Sequence, residues 1–340
     1  MRATIKDIAK QAGVSITTVS LVLNGKAYKI PDQTKKIVLD TARELNYTPN
    51  QMAVGLVKKR SQTIGLIVPN ISNTYFATMA LGVDEACRKY GNALMLCNSG
   101  DQHKLDLEYI TRLAGQGCDG VIFIMANDSD DAACKESLKM LHDLKLPFVM
   151  LDRFIIKKGC PSIIVDHVKG GELVTRHLLG LGHRRIGCVV GPEHLVDARQ
   201  RYEGYVKAMK EAGVDVDPEL VIHGDYSRKG GYEAAKILLD RQATAIFASN
   251  DMSALGVMQY LEEQKVRVPE DISVVGYDDI MFASLLKVPL TTIHQPIYEM
   301  GVEAVQQLMR QINQEEYEKG AVIFEPELII RESTAKYTGE

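Results

Sequence analysis

The strongest constraint on the fold is a regular alternation that begins at Thr63 and continues towards the C-terminus. Short β-branched runs, each typical of a strand, are separated by amphipathic stretches of helical length. This alternation predicts parallel sheets with helices on both faces. The runs form two series, which predicts two similar lobes: TIGLIVP, ALMLCN, GVIFI and PFVML, then SIIVD, RIGCVVG, LVIHG, AIFASND and ISVVGYDD. Two later segments, TTIHQP and AVIFEPELII, are interpreted as returns of the chain between the lobes.

Composition and the cysteine pattern limit the class of protein. With 46% hydrophobic and 25% charged residues, the 340-residue chain has the composition of an ordinary globular protein. No apolar run reaches transmembrane length, and the start, MRATIKDIAK, has no apolar signal segment, so we expect a cytoplasmic protein without a membrane partner. Six cysteines are scattered without C-x-x-C spacing, which favours free thiols over a disulfide framework or a zinc site.

Charge is unevenly distributed along the chain. Residues 1–60 contain 11 Lys and Arg against 4 Asp and Glu, whereas the other 280 residues contain 29 against 40. A small basic head is therefore joined to an acidic body. This arrangement indicates an anionic partner for the head alone.

The basic head has the signals of two short helices that cross steeply. Thr4 and Asp7 have the spacing of a capping box, and Gly13 is placed to end the first helix. Ser15 is suited to cap a second helix that ends at Asn24. The short linker between the two helices predicts a helix-turn-helix. A third helix follows, and the residues that its periodicity places inward are Ile37, Val38, Thr41, Ala42 and Leu45.

The outer face of the second helix is unlike an ordinary solvated surface. Thr17, Ser20, Leu21 and Asn24 share this face, which carries no Lys or Glu. Hydroxyl and amide groups reach phosphates or base edges of DNA, and an apolar side chain can contact a thymine methyl group. The face therefore indicates a major-groove contact, although a generic three-helix bundle with a solvated outer face has the same periodicity.

The motifs TIKDIAKQAGVSITTVSLVLNG and ELNYTPN resemble the DNA-binding head of the LacI/GalR family of bacterial transcription regulators. The resemblance implies a helix-turn-helix domain over residues 1–48, with double-stranded operator DNA as its partner. The family residues that face base edges match Ile16, Thr17 and Leu21. Those that hold phosphates match Thr18, Ser20 and Asn24, and the implied DNA-binding set also includes Thr4, Ser15 and Tyr47. Leu21 stands where many members of the family carry Arg or His.

Residues 49–61 join the head to the body. The segment NQMAVGLVKK has the length of a marginal helix and contains Gly55, so its residues fit a plain tether as well as a helix. The family resemblance implies a hinge helix that orders on DNA and enters the minor groove, with Asn50, Ala53 and Leu56 as DNA contacts. The residue that matches Leu56 wedges a central base step. Val54 departs from the family pattern, because Arg is usual there.

Polar and aromatic residues follow the predicted strands of the body. Ligands of open α/β sheets bind outside the carboxyl ends of the strands, so these residues form the candidate ligand site. An aromatic ring can stack on the C–H face of a sugar, while carboxylate and guanidinium groups bind hydroxyls in pairs. The set therefore favours a sugar: Asn73, Tyr75, Phe76, Asp152, Arg153, Arg199, Asn250, Tyr277, Asp278 and Gln295.

The same pattern is similar to ribose-binding proteins and ribose operon repressors, which implies ribose or a close pentose as the effector. The resemblance also implies that the body, residues 62–340, looks like periplasmic sugar-binding proteins, with two lobes and three crossovers. Lobe 1 is expected at about 62–161 plus 293–322, and lobe 2 at about 162–292 plus 323–340. The alternatives are a purine- or catabolite-responsive regulator of the same family and a sugar-binding protein without a DNA role.

The chain has no readable signature of an enzyme. The motifs G-x-G-x-x-G, G-x-x-x-x-G-K-[ST], H-E-x-x-H and G-x-S-x-G are absent, so we expect neither catalysis nor a cofactor or metal. His183, between a helix and a strand, is interpreted as structural. The final segment IIRESTAKYTGE has no apolar heptad, which favours a homodimer over a coiled-coil tetramer. We expect a dimeric, sugar-responsive repressor. The direction of the ligand effect and a phosphocarrier coregulator stay open at this point.

Overall fold

The computed structural model describes residues 3–47, 60–153 and 160–339, which form two compact units, Met1–Ser61 and Gln62–Glu340. The described part of the first unit is all-α, and the second unit is built from parallel sheets and helices, which confirms the predicted fold class. The residues predicted to enter the minor groove, Asn50, Ala53 and Leu56, lie outside the described residues.

The first unit contains the helices α1 Ile5–Ala12, α2 Ile16–Leu23 and α3 Asp32–Glu44. The predicted cap of α1 is present, because the Thr4 hydroxyl accepts from the Asp7 amide while the Asp7 carboxylate accepts from the Thr4 amide. Gly13 ends this helix with φ +66°, a conformation that glycine adopts at little cost. Ser15 caps α2 by accepting a hydrogen bond from the Thr18 amide at 3.1 Å. Local residue chemistry therefore defines where these helices begin and end.

The core of this unit lies where the three helices meet. Ile8, Val19 and Val38, one from each helix, are fully buried there. The prediction that Ile37 faces inward is wrong, because its side chain is 45% exposed. A helix turns about 100° per residue, so a buried face that contains Val38 and Thr41 directs the side chain of Ile37 away from the core.

The strands of the second unit form two parallel sheets and one antiparallel pair. Their bounds are β1 Thr63–Val68, β2 Ala93–Asn98, β3 Gly120–Phe123, β4 Phe148–Leu151, β5 Ser162–Val165, β6 Ile186–Val190, β7 Val221–His223, β8 Ala245–Ala248, β9 Ser273–Val275, β10 Thr292–His294, β11 Ala321–Phe324 and β12 Glu327–Ile329. The first sheet has the order β11-β5-β4-β3-β1-β2 and the second the order β7-β6-β8-β9, whereas β10 and β12 form a separate antiparallel pair. Lobe 1 is built on the first sheet and lobe 2 on the second.

Helices cover both faces of each sheet. They are α4 Thr74–Lys89, α5 His103–Gly115, α6 Asp131–Asp143, α7 His167–Gly180, α8 Val196–Glu211, α9 Arg228–Asp240, α10 Asp251–Glu263 and α11 Ile297–Asn313. Leu66 and Ile67, neighbours on β1, belong to different apolar clusters because successive side chains of a strand point to opposite faces. On β6, Cys188 and Val189 are divided in the same way. Within the described ranges, none of the helices has the length and apolar character needed to span a membrane.

The sheet pairings correct the predicted lobe boundaries. The prediction that β5 opens lobe 2 is wrong, because β5 lies between β4 and β11 in the first sheet. Residues 323–324 of β11 also belong to lobe 1, whereas β10, at 292–294, pairs with β12 and bridges to Asp278 in lobe 2. The chain therefore crosses between the lobes at 166, 295–296 and 325–326. An apolar run predicts a strand but contains no information about which sheet that strand joins.

Candidate functional site

A cavity of about 240 Å³ lies between the two lobes of the second unit, beyond the carboxyl ends of the parallel strands. This is the position at which open α/β sheets bind ligands. Both lobes contribute to its wall. The predicted residues that line it are Asn73, Tyr75, Phe76, Asp152, Arg153, Asn250 and Asp278. Arg199, Tyr277 and Gln295 do not line it.

The prediction that Arg199 faces the ligand is corrected in favour of Arg201. Arg199 is exposed, and its guanidinium donates to the backbone oxygens of Glu193 and His194. Arg201, two residues later on α8, is 4% exposed and lines the cavity together with Asp197. Residues four apart share one face of a helix, so the face that directs Asp197 and Arg201 inward directs Arg199 away.

Tyr277 and Gln295 lie behind the cavity wall, where they support residues that line it. Both are completely buried. The ring of Tyr277 lies under the guanidinium of Arg201, with 4.0 Å between the guanidinium carbon and the ring centroid. Gln295 donates to Oδ1 of Asp278 at 2.7 Å, and its own oxygen lies 3.3 Å from the hydroxyl of Tyr75. Both residues therefore support the wall of the cavity and do not line it, contrary to the prediction of direct contact.

Arg201 is the most connected side chain in the lobe 2 wall. Its Nη1 atom donates to the backbone oxygen of Ser249 at 2.6 Å. Carboxylate oxygens of Asp278 and Asp197 lie 3.6 and 3.8 Å from its terminal nitrogens. Tyr226 stands on another side, with its ring centroid 5.5 Å from the guanidinium carbon. These contacts hold a buried positive charge in one orientation beside the cavity.

The lobe 1 wall contains a second set of mutually fixed groups. The hydroxyl of Tyr75 donates to Oδ1 of Asp152 at 2.5 Å. The guanidinium of Arg153 lies over the ring of Phe76, and its Nη1 atom donates to the backbone oxygen of Met125 at 3.0 Å. The same Nη1 atom is 3.3 Å from a carboxylate oxygen of Asp101. An Asp and an Arg from adjacent positions in the chain therefore reach the cavity with their side chains already restrained.

Carboxylates outnumber guanidinium groups in the wall. Asp101, Asp152, Asp197, Asp225 and Asp278 line the cavity, against Arg153, Arg201 and Arg228. The wall therefore offers both hydrogen-bond acceptors and hydrogen-bond donors to a polar ligand.

Burial acts differently on three of the carboxylates because their neighbours differ. Burial raises the pKa of Asp152, and the charge of Asp197 acts in the same direction. Burial raises the pKa of Asp278 well above its ordinary range despite the opposing charge of Arg201, and the charges of Asp251 and Asp152 add to this shift. Burial would also raise the pKa of Asp197, but its surroundings, led by the charge of Arg201 and including Arg153 and a hydrogen bond from the Tyr226 hydroxyl, lower that pKa. Of these three, Asp197 is therefore the one whose charged form is favoured.

Three residues of the wall have backbone conformations that are uncommon outside glycine. The φ angles of Asp152, Tyr226 and Asp278 are +65°, +64° and +120°. Such conformations cost about 1–3 kcal/mol each and occur preferentially at functional sites. Asn250 helps to hold Tyr226, because its amide donates to the Tyr226 backbone oxygen at 3.1 Å. A hydrogen bond from Asn250 thus helps to hold the backbone of Tyr226 in its positive-φ conformation.

The outer face of α2 is the second candidate site. Ile16, Thr17 and Leu21 are exposed, and 46% of Ile16 and 38% of Leu21 are accessible to solvent. The opposite face packs Val19 and Val22 into the head core. Two apolar side chains therefore lie on the solvent side of α2, beside a hydroxyl group.

The other described residues of the predicted DNA-binding set lie around this face or make hydrogen bonds and packing contacts within the head. Asn24 is exposed and donates to the Ser20 backbone oxygen at 2.8 Å. The hydroxyls of Ser15 and Thr18 lie 2.9 Å apart at the start of α2. The Thr4 hydroxyl is engaged by Asp7 at 2.7 Å, and Tyr47 is half-buried against the head core.

Family models and a full-length relative decide the class of the protein. Residues 4–50 match the model of bacterial regulatory proteins of the lacI family, and residues 175–334 match that of a periplasmic binding protein-like domain. The chain is 39% identical over 335 residues to the HTH-type transcriptional repressor PurR of Pasteurella multocida (strain Pm70), with coverage of 97% of this chain and 98% of that protein. The chain belongs to the LacI family of bacterial regulators. It is therefore a DNA-binding transcription regulator with a ligand-binding body, and not an enzyme, as predicted.

Solved structures of LacI-family proteins have the same fold. The lac repressor dimer bound to operator and the anti-inducer ONPF has a TM-score of 0.89 and 28% identity, covering 98% of this chain and 100% of that chain. A LacI family transcriptional regulator from Enterococcus faecium with bound ribose has a TM-score of 0.72 and 31% identity, covering 81% of this chain and 100% of that chain.

Within this LacI-family body, sequence reasoning missed several residues of the cavity wall. Asp197 and Arg201 were detectable from their spacing of four in VDARQR, had the phase of the helix been known. Tyr226 comes shortly after β7, so its position beyond the carboxyl end of a strand also predicts a place in the cavity wall. His183 has the structural contacts that its interpretation predicts, since its two ring nitrogens lie 3.0 and 3.1 Å from the hydroxyls of Thr244 and Ser273.

Proposed function

We propose that this regulator is a dimeric repressor whose affinity for operator DNA is controlled by a neutral monosaccharide, D-ribose or a related pentose, bound in the cavity between the lobes. The observation that carries this proposal is that restrained Asp and Arg side chains line the cavity together in each lobe: Asp152 and Arg153 in one, and Asp197, Asp278 and Arg201 in the other. Carboxylates accept from sugar hydroxyls and guanidinium groups donate to them, so each pair can serve both roles of a hydroxyl.

The size of the cavity limits the ligand further. Its volume of about 240 Å³ is below the range of roughly 300–1,000 Å³ that is usual for drug-sized ligands. A monosaccharide is small enough for such a site. The regulator from Enterococcus faecium that holds ribose supports the pentose as the first candidate.

For the DNA half of the function, α2 is proposed as the helix that enters the major groove. Ile16, Thr17 and Leu21 would face base edges, and Leu21 would contact an apolar edge such as a thymine methyl. Their exposure in a basic head supports this role. Ser15, Thr18, Ser20 and Asn24 are proposed as phosphate contacts, with Thr4 and Tyr47 at the margin of the interface. Asn50, Ala53 and Leu56 keep their proposed role in the minor groove.

Calorimetry of the purified full chain tests the effector half. We expect D-ribose to bind. Arg201→Met should weaken D-ribose binding by roughly 10- to 100-fold, the loss typical of a hydrogen-bonded charged group. Arg199→Met, on the outer face of the same helix, is the matched control and should bind as the unmodified chain does.

Three results would contradict the effector proposal. Binding of hypoxanthine without binding of any pentose would support the purine-responsive alternative. Equal effects of Arg201→Met and Arg199→Met would remove the argument from the cavity wall. Bound D-ribose that leaves the affinity for DNA selected from a random duplex pool unchanged would make the sugar irrelevant to regulation, since an effector must bind the two states with different affinities.

A further inference from the structure

The orientation of Arg201 depends on a buried histidine that has no place in the cavity wall. Arg201 Nε donates to Nδ1 of His167 at 3.3 Å, and the hydroxyl of Tyr277 lies 3.1 Å from the same nitrogen. His167 is 1% exposed, and it is not one of the described residues that line the cavity. Its contact with the effector site is therefore made through Arg201.

The contact determines the protonation of the imidazole. An arginine side chain can only donate hydrogen bonds, so Nδ1 must be the unprotonated acceptor and the ring proton must lie on Nε2. Burial lowers the pKa of His167 to about 3, and the positive charge of Arg201 acts in the same direction. Nε2 is buried and has no hydrogen-bond partner among the described residues. Among the described residues, the hydrogen bonds of this ring are therefore the ones that Nδ1 accepts.

His167 also lies at the first crossover between the lobes. It is the first residue of α7 and directly follows Asp166, whereas the preceding strand β5 belongs to the sheet of lobe 1. A very close approach of α7 to α8 brings the ring to Arg201. A Cβ atom on Gly171 would lie only 2.1 Å from the backbone oxygen of Arg201. A residue at the lobe junction is thus in direct contact with a charged group of the cavity.

Building on the proposed function, we propose that His167 is a positioning residue for the effector, whose neutral Nδ1 atom orients the guanidinium of Arg201 towards the cavity and connects it to the first interlobe crossover. The Ser249 backbone oxygen holds Nη1, and His167 holds Nε on another edge of the same fork. Because the planar guanidinium of Arg201 is held at two of its nitrogens, its remaining N–H groups point in a fixed direction. A shift of the crossover when the lobes move relative to each other would change this direction.

A matched pair of substitutions isolates the acceptor. His167→Asn places an oxygen where the histidine has Nδ1, because both atoms are bonded to Cγ, whereas His167→Leu has the shape of Asn without an acceptor. With D-ribose as the probe and the full chain in the calorimeter, we expect His167→Asn to bind within about threefold of the unmodified protein. We expect His167→Leu to bind about tenfold or more weakly. Both variants should keep the far-UV circular dichroism spectrum of the unmodified protein, which shows that the body, the larger of the two units, is folded.

A measurement without ligand separates this inference from the proposed effector. In the full chain with ¹⁵N-labelled histidine, the ring nitrogens of His167 should show an unprotonated Nδ1 and a protonated Nε2 from pH 8 to pH 5. This tautomer in a protein that does not bind D-ribose would overturn the pentose while supporting the contact with Arg201. A proton on Nδ1, or equal losses of D-ribose affinity in the two substitutions, would overturn the positioning role.

Discussion

Replacing Arg201 with methionine is expected to destabilise the body as well as weaken ligand binding. Methionine retains an unbranched stem of similar reach but removes the charge and every hydrogen bond of the guanidinium. Two buried carboxylates remain: that of Asp197, 8% exposed, and that of Asp278, 7% exposed. Each lies within 4 Å of the guanidinium in the unmodified protein, at 3.8 and 3.6 Å. The variant therefore leaves buried negative charge without its partner.

The expected loss in the free energy of unfolding is about 3–5 kcal/mol, the usual result of removing one partner from a buried ion pair. Solvent screening reduces this little, because the side chain of Arg201 is only 4% exposed. Arg199→Met is the matched control. Its loss should stay within about 0.5 kcal/mol, since Arg199 is exposed and lies outside the cavity.

The loss should also depend on pH. Arg201 helps to hold the pKa of Asp197 below its ordinary value. That lowered pKa contributes stability above the unfolded-state pKa of about 3.9, and the contribution disappears as the pH falls through the folded-state pKa. Without Arg201, burial is expected to raise the pKa of Asp197 above its unfolded value, so the folded variant gains stability by taking up a proton. The difference between the two proteins should therefore be larger at pH 8 than at pH 5.

Urea unfolding followed by far-UV circular dichroism at both pH values measures this difference, since the chain contains no tryptophan to serve as a fluorescent probe. A loss below about 1 kcal/mol at pH 8 would refute the inference that Arg201 compensates buried charge. The same loss at pH 5 and pH 8 would refute the assignment of that charge to Asp197.

Three further outcomes are expected. Leu21→Ala should weaken binding of selected DNA by roughly 1–3 kcal/mol and change the preference at one base pair per half-site. The control Leu39→Ala, on α3, should change neither the affinity nor the preference. A uniform loss of affinity over all DNA variants would mean that Leu21 only packs. Gly170→Ala should lower the melting temperature, because a Cβ atom would lie 2.0 Å from the Tyr277 hydroxyl, while Gly180→Ala on the same helix has open space and should not lower it. Light scattering at micromolar concentration should give the mass of two chains; four would contradict the dimer, and one would mean that DNA assembles it.

Much of the architecture is determined by residues close together in the sequence. The ends of α1 and α2 follow from Thr4, Asp7, Gly13 and Ser15, because caps depend on neighbouring side chains and backbone groups. The strands follow from short apolar runs, and their carboxyl ends direct attention to the cavity. Asp152 and Arg153 could be predicted for this reason, since they come directly after a buried strand.

Tertiary packing decided which of several equivalent candidates faces the cavity. Arg199 and Arg201 have the same chemistry in the sequence, and only the packing of α8 against its neighbours sets the rotation that buries Arg201. The sheet that β5 joins depends on pairing with β11, which is more than 150 residues away in the chain. The position of Tyr277 behind Arg201 likewise depends on packing between segments that are distant in the chain. Local patterns specify strands, helices and caps, whereas helix rotation and sheet membership minimise the free energy of contacts between distant segments.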